Sequence, residues 1–417
     1  GAGPNKFTSQ WLLFKPDIVN NSIIWNVDFS AGVGLIPSFM IETGIIGIVA
    51  WMLFLGTFLY LGIKYVFLAS VNKVNQYIVF SSFLAALYLW IFSIFYVPNI
   101  TILFLAFLMT GIFIASLSEA KFIKNYNFSF LTDPRVGFVS VLVLILFTLS
   151  SLSWGYTLFQ KFISMGYFQK SIAILSIEGD LDKSEQNMLR AIKLNKNDLY
   201  YRSLSEMNFV RLRNILAQQE ISEETIRAQF QLVSQAAVKN AITATEINPT
   251  NYLNFVSLAR VYGSLLSFGA PKEFYDSAQQ NYEKALSLNP KSPSIILEQA
   301  RLEISVKNTV KAKEYIAQAL NQKNNYTAAI FLLSQLQANE GNIDDAVVSA
   351  EVASMVSPNN IGIFFQLGFL RYKNNNYKGA IAAFERALEL NSDYSNAKYF
   401  LGLSYEEIRE YEKAIQQ

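Results

Sequence analysis

The feature that most restricts this chain is a lack of charge. No Asp, Glu, Lys or Arg occurs in residues 43–63, in 74–118 or in 136–156. A helix needs about 20 apolar residues to cross about 30 Å of hydrocarbon, and these runs meet that demand four times. Gly44–Ile63 is the first expected span. The run 74–118 is too long for one helix, and Val97-Pro98-Asn99 divides it, because proline after a polar turn stops a helix and lets another restart. Two spans result, Tyr77–Tyr96 and Ile100–Ala115. The fourth, Val136–Tyr156, follows the breaker Asp133-Pro134. Buried core helices are the poorer reading, since four such runs in succession rarely share one water-soluble domain.

Composition agrees: 52% of residues are hydrophobic and 16% charged, too apolar for an ordinary soluble chain. Residues 1–157 hold few basic groups, namely Lys6, Lys15, Lys64, Lys73, Lys121, Lys124 and Arg135. No strongly basic surface exists, so nucleic acid is not an expected partner. Cysteine and histidine are absent, which removes disulfides, thiolate nucleophiles, imidazole bases and the usual zinc ligands. No metal or other cofactor is implied. The chain begins with Gly and stops inside a helical pattern, so it is expected to be a piece of something longer.

Orientation follows the positive-inside rule. Lys64 and Lys73 flank one loop and Lys121, Lys124 and Arg135 another, whereas the turn at Pro98 has none. Both basic loops are expected in the cytoplasm. Residues 1–40, the Pro98 turn and everything after Tyr156 then fall outside. The expected layout is an all-α chain: an extracytoplasmic loop (1–40), a four-helix transmembrane domain (41–157) and an extracytoplasmic helical solenoid (158–417), in the cytoplasmic membrane.

The solenoid is read from a repeat. The phrases LSLNP, QKNN, MVSP and LELNS contain Pro290, Asn324, Pro358 and Ser392 at a spacing of 34 residues. Small residues recur where helices must cross closely: Leu367-Gly368, then Ala380, Phe384 and Ala387; Ala278, Tyr282 and Ala285; Ala312 and Ala319. Upstream, Ala237, Ala241, Ala244 and Pro249 fit one second helix and Ala191 another. Between Lys196 and Pro249 the spacing is too long, so extended helices or an inserted turn are expected. About seven helix pairs follow Gly166.

This half resembles the tetratricopeptide repeat family in period and in residue types. The resemblance implies a superhelical scaffold whose first helices grip a peptide or partner protein. Phe331, Phe365, Phe369, Tyr372 and Tyr399 are the aromatic candidates for that face, to hold an extended peptide or stack on sugar rings. The alternative is that several of them pack between adjacent repeats.

The amino-terminal stretch is the remaining place for chemistry. It runs from Gly1-Ala2-Gly3-Pro4 through a polar loop with Asn20, Asn21, Trp25, Asn26 and Asp28, and enters the first span at Glu42-Thr43-Gly44-Ile45-Ile46-Gly47. These motifs, in this order, resemble the bacterial O-antigen ligase and polymerase family over roughly residues 1–120. That resemblance implies transfer of a glycan from a polyprenyl-diphosphate carrier, outside the cytoplasmic membrane, without metal or nucleotide. Displacing a diphosphate builds up negative charge, so Lys15 and Lys6 are the candidates to meet it. Glu42 or Asp28 is the candidate base toward an acceptor hydroxyl. The plain alternatives are that Glu42 favours a helix amino terminus and that the lysines meet lipid phosphates. The chain departs from the family where its histidine is expected, which falls on Val33, and no arginine occurs in residues 1–134.

Two functions therefore compete, a membrane glycan ligase or polymerase and a non-catalytic membrane-anchored scaffold. A channel is disfavoured because no charge lies inside the spans.

Overall fold

The computed structural model describes residues 1–68, 73–120, 122–123, 134–217 and 222–417. Lys121, Lys124 and Asp133, used above for orientation and for a helix break, lie outside the described residues. Among those described, helices are the only regular elements, and the chain divides into two compact units. One comprises residues 1–14 and 27–166, the other residues 15–26 and 167–417.

In the first unit, α1 (Phe7–Phe14) precedes α2 (Leu35–Leu68), α3 (Lys73–Phe95) and α4 (Ile100–Glu119). Four helices of the chain are long and apolar enough to cross a membrane, among the described residues: these last three and α5 (Pro134–Ile177). The expected stop at Pro98 is present, and Asn99 caps α4 by accepting from the Ile102 N–H at 3.0 Å. α2 packs on α3 and α3 on α4 through Phe58, Phe83 and Phe113, whose ring centroids lie 5.2 to 5.4 Å apart. Trp90 is fully buried beside them, and its indole N–H reaches the Thr110 hydroxyl at 2.9 Å. A buried donor in apolar surroundings needs such a partner.

Two helices exceed the expected spans. α2 begins at Leu35, is broken at Gly44 where the first span was expected to start, and runs on to Leu68, and α5 continues past Tyr156 to Ile177. In α5 nothing breaks the helix after its apolar stretch: Gln160, Lys161 and Lys170 are ordinary helix formers, so the change from apolar to amphipathic pattern occurs without a turn.

The second unit is a solenoid of helix pairs, each helix packing on the next in chain order. The end of α5 pairs with α6 (Leu181–Leu194) through Tyr167, Phe168, Leu175 and Met188, and Tyr200 of the next helix joins this cluster. α7 (Asp198–Ala217) packs on α8 (Glu223–Ile247), and these absorb the extra length as helices of 20 and 25 residues. Then follow α9 (Tyr252–Leu266) with α10 (Glu273–Leu288), α11 (Pro293–Ser305) with α12 (Thr309–Gln322), α13 (Thr327–Asn339) with α14 (Ile343–Val356), α15 (Ile361–Lys373) with α16 (Tyr377–Leu390), and α17 (Ser395–Glu407) with α18 (Tyr411–Gln416).

The small residues read from the sequence sit at the crossings. Ala237, Ala241, Ala244, Ala278, Ala285, Ala312, Ala319, Ala380 and Ala387 have no exposed surface. Gly368 lies against the Phe384 ring, where a methyl group would stand within 3 Å of it. The carboxylate of Glu303, also wholly buried, accepts from Tyr275, Gln279, Asn308 and Lys311 at 2.7 to 3.1 Å. Four donors offset the cost of burying that charge.

Candidate functional site

The stretch MIETGIIG forms a broken helix. At Gly44 the backbone takes φ 68° and ψ −157°, outside the helical region, and α2 resumes beyond it. The break frees carbonyls that a helix would satisfy, and the first residues of the chain fill the gap. The Ala2 N–H donates to the Ile41 carbonyl and the Gly3 N–H to the Glu42 carbonyl, both at 2.9 Å. Gly1 and Gly44 lie so close that a side chain on Gly1 would collide with the Glu42 carbonyl, and one on Gly44 with the Gly1 nitrogen. The two glycine motifs that carry the ligase resemblance thus pack backbone to backbone.

The candidate catalytic residues differ in their settings. Glu42 is half-buried two residues before Gly44, and among the described residues its carboxylate has no side-chain partner. Asp28 is exposed, and Lys6 is half-exposed just before α1. Lys15 departs from the expected role. It is 4% exposed, its ammonium donates to the Trp25 carbonyl at 3.2 Å, and it belongs to the unit of the repeats rather than to that of Lys6.

The aromatic candidates divide likewise. Phe331 packs beside Ile330, Ala353 and Ile363. Phe365, Phe369 and Tyr372 surround Phe400, with ring centroids 5.9, 5.1 and 6.0 Å from it. Phe384 closes the cluster at 6.0 Å. These rings fill the gap between the last two full repeats, so packing accounts for four of the five candidates. Tyr399 differs, being 64% exposed with one face toward Phe400. Phe400 was not among the residues singled out from the sequence, although its neighbour Tyr399 was.

Two further features lay outside the sequence reading. Arg260 meets Glu298 through two hydrogen bonds of 3.1 and 2.9 Å at a small cleft of about 110 Å³ that Arg202 also lines. An apolar groove of about 760 Å³ runs between α8 and the α9–α10 connection, lined by Phe230, Val238, Ile242, Tyr262, Phe268 and Phe274. Neither left a local signal, because both join residues from separate repeats. Among the described residues no cluster of His, Cys, Asp or Glu could hold a metal ion.

Comparison with known proteins points to the repeats. The tetratricopeptide repeat family matches residues 365–417. No curated protein matches the chain. Among solved structures, yeast Tom70 is similar over 84% of this chain at 13% identity with a TM-score of 0.48, and this chain spans 60% of the Tom70 chain. A tetratricopeptide repeat protein from Parabacteroides merdae is similar over 61% of this chain and 90% of its own length, at 18% identity and a TM-score of 0.39. YrrB, a TPR protein with an unusual peptide-binding site, is similar over 50% of this chain and 95% of its own, at 18% identity and a TM-score of 0.30. Residues 365–417 match tetratricopeptide repeats, and the helix pairs from α11 onward recur every 34 residues.

Proposed function

We propose that this chain is a membrane-anchored scaffold, which holds tetratricopeptide repeats at the outer face of the cytoplasmic membrane and binds a protein or peptide partner there. The observation that carries this reading is α5. Its apolar stretch is exposed all round, with none of the most hydrophobic window buried, while its last turns pack into the first repeat. A helix apolar on every face has no place in water and is at home in lipid. Because no turn separates the two parts, anchor and scaffold share one helix.

Membranes carrying the protein test the reading. The chain should stay in the pellet through an alkaline carbonate wash, and Leu146→Arg, a charge costing about 2.5–3.5 kcal/mol at a span's centre, should lower the inserted fraction. For partner binding, a photo-crosslinking residue at Tyr399 should give a discrete adduct that the same residue at Val310, 70% exposed on α12, does not. Adducts at both sites or at neither would count against a partner at Tyr399.

A second reading, glycan transfer from a polyprenyl-diphosphate carrier, is favoured by one observation: the G-A-G-P and E-T-G-I-I-G segments meet at the helix break. In this reading Glu42 is the base, and the lipid-linked glycan is the substrate. Membranes carrying the protein would transfer glycan to an acceptor, and Glu42→Gln would abolish transfer while leaving the protein inserted. Full activity of that variant would leave the scaffold reading alone.

A further inference from the structure

Residues 15–26 belong to the compact unit of the repeats, although the residues on either side of them in sequence do not. Asp17–Asn21 forms a single 3-10 turn. The turn is locked by the Ser22 hydroxyl donating to the Val19 carbonyl at 2.7 Å and by the Ile24 N–H donating to that hydroxyl at 3.3 Å. Local hydrogen bonds of this kind restrict the loop, which lowers the ordering cost of binding.

The surface that receives it comes from the α10–α11 connection, the end of α12 and the α12–α13 connection. Asn20 has no exposed surface. Its side-chain NH₂ donates to the Lys291 carbonyl at 2.9 Å and, at the limit of reach, to Gln322 Oε1 at 3.5 Å. The Asn20 carbonyl accepts from Lys323 Nζ at 2.8 Å, and the same ammonium donates to Asn325 Oδ1 at 2.6 Å. Lys323 is 7% exposed, and its ammonium lies 5.4 Å from the centre of the Trp25 ring. Trp25 stands edge-on to Tyr326 at 5.2 Å. At the rim, Asp17 pairs with Lys291 at 2.9 Å. A buried ammonium is costly unless acceptors surround it, and the loop supplies a carbonyl and an aromatic ring for this one. The two connections are equivalent places in successive repeats, so the loop bridges a repeat boundary and is held in a single register.

We propose that the notch between the α10–α11 and α12–α13 connections is a binding site for a short loop carrying an aspartate, an asparagine three residues on and a tryptophan five residues beyond that, and that residues 17–25 fill it as an intramolecular ligand. Asn20 is the central determinant, since it alone spends both its side chain and its carbonyl on the repeats. Trp25 covers the lysine, and Asp17 adds an exposed ion pair of small weight.

The chain has no cysteine, so thiol pairs report on this contact without background. In the chain purified in detergent, Asp17→Cys with Lys291→Cys should be joined by a short bismaleimide. Asp17→Cys with Lys413→Cys, on α18, should not. Asn20→Leu combined with Lys323→Met removes both buried hydrogen bonds and is expected to lower the joined fraction at least about fivefold, the factor given by one lost buried hydrogen bond. Ile18→Ala, at a side chain 79% exposed, should leave it unchanged. Should the double variant unfold by circular dichroism, Trp25→Ala provides the second reading and should lower the joined fraction likewise. Equal joining to Lys413→Cys, or an undiminished yield in folded variants, would overturn the proposal.

Discussion

At Gly44 the backbone occupies the left-handed region with a second backbone against it, so both conformation and space call for glycine. Gly44→Ala is expected to cost about 1–3 kcal/mol, the range for a residue held in a sparsely populated conformation. Gly56→Ala, with nothing within 4 Å of the added methyl, should not destabilise. Thermal unfolding in detergent compares the two. Tyr405 gives a prediction of another kind. Its hydroxyl donates to Glu385 at 2.7 Å, and burial together with that carboxylate pushes its pKa up to about 12. An unfolded tyrosine ionises near pH 10, so between about pH 10 and 12 the native state keeps a proton that the unfolded state has lost. This contribution to stability is therefore whole below pH 10 and falls away as pH rises through 12. Urea unfolding at pH 9 and pH 11 should show the loss, and Tyr405→Phe should shrink the difference.

Among elements, the repeat leaves two marks on the backbone, of which the sequence displays one. Asn289, Lys323, Ser357 and Asn391 end the second helices of successive pairs. They coincide with the phrases LSLNP, QKNN, MVSP and LELNS, so the period was readable. The turn inside each pair carries a second mark. Lys307, Gly341, Asn375 and Arg409 take φ of 61°, 87°, 56° and 64° at the same spacing of 34 residues. Just one of them is glycine, so no residue pattern announces the left-handed turn. A non-glycine residue there is held against a steric cost of about 1–2 kcal/mol, part of which glycine's larger unfolded-state entropy cancels. Lys307→Gly should thus stabilise the repeats by up to about 1 kcal/mol, and Gly341→Ala should destabilise them by about 1 kcal/mol. Helix ends in the apolar half were less legible for a related reason. Lack of charge marks where side chains suit lipid, and says nothing of where hydrogen bonding stops. α5 extends beyond its charge-free stretch because nothing there breaks a helix, whereas α2 runs through a break at Gly44 that the first residues of the chain cover.

For the whole molecule, the testable quantity is sidedness. Single cysteines at Asp28, Asn99 and Gln417 should react with a membrane-impermeant thiol reagent in intact cells, while one at Asn72 should not. The reverse pattern would invert the orientation read from the basic residues. Two sequence-derived sites fared differently at this scale, and distance along the chain explains why. The meeting of Gly1–Gly3 with Ile41–Gly44 was foreshadowed by glycine pairs, the residues that permit close backbone approach. The fate of Lys15 was not foreshadowed, since its acceptor is a main-chain carbonyl, which any residue type supplies. The contact between Asn20 and Lys291 was still less readable, because it links positions 271 residues apart.

That separation also has a meaning in time. Chains are made at about 5–20 residues per second, so Asn20 leaves the ribosome on the order of 15–50 s before Lys291 does. Helix pairs close within themselves far sooner, since their contacts are local. The loop is therefore made well before the repeats it meets, and its docking waits until the α12–α13 connection has followed it out.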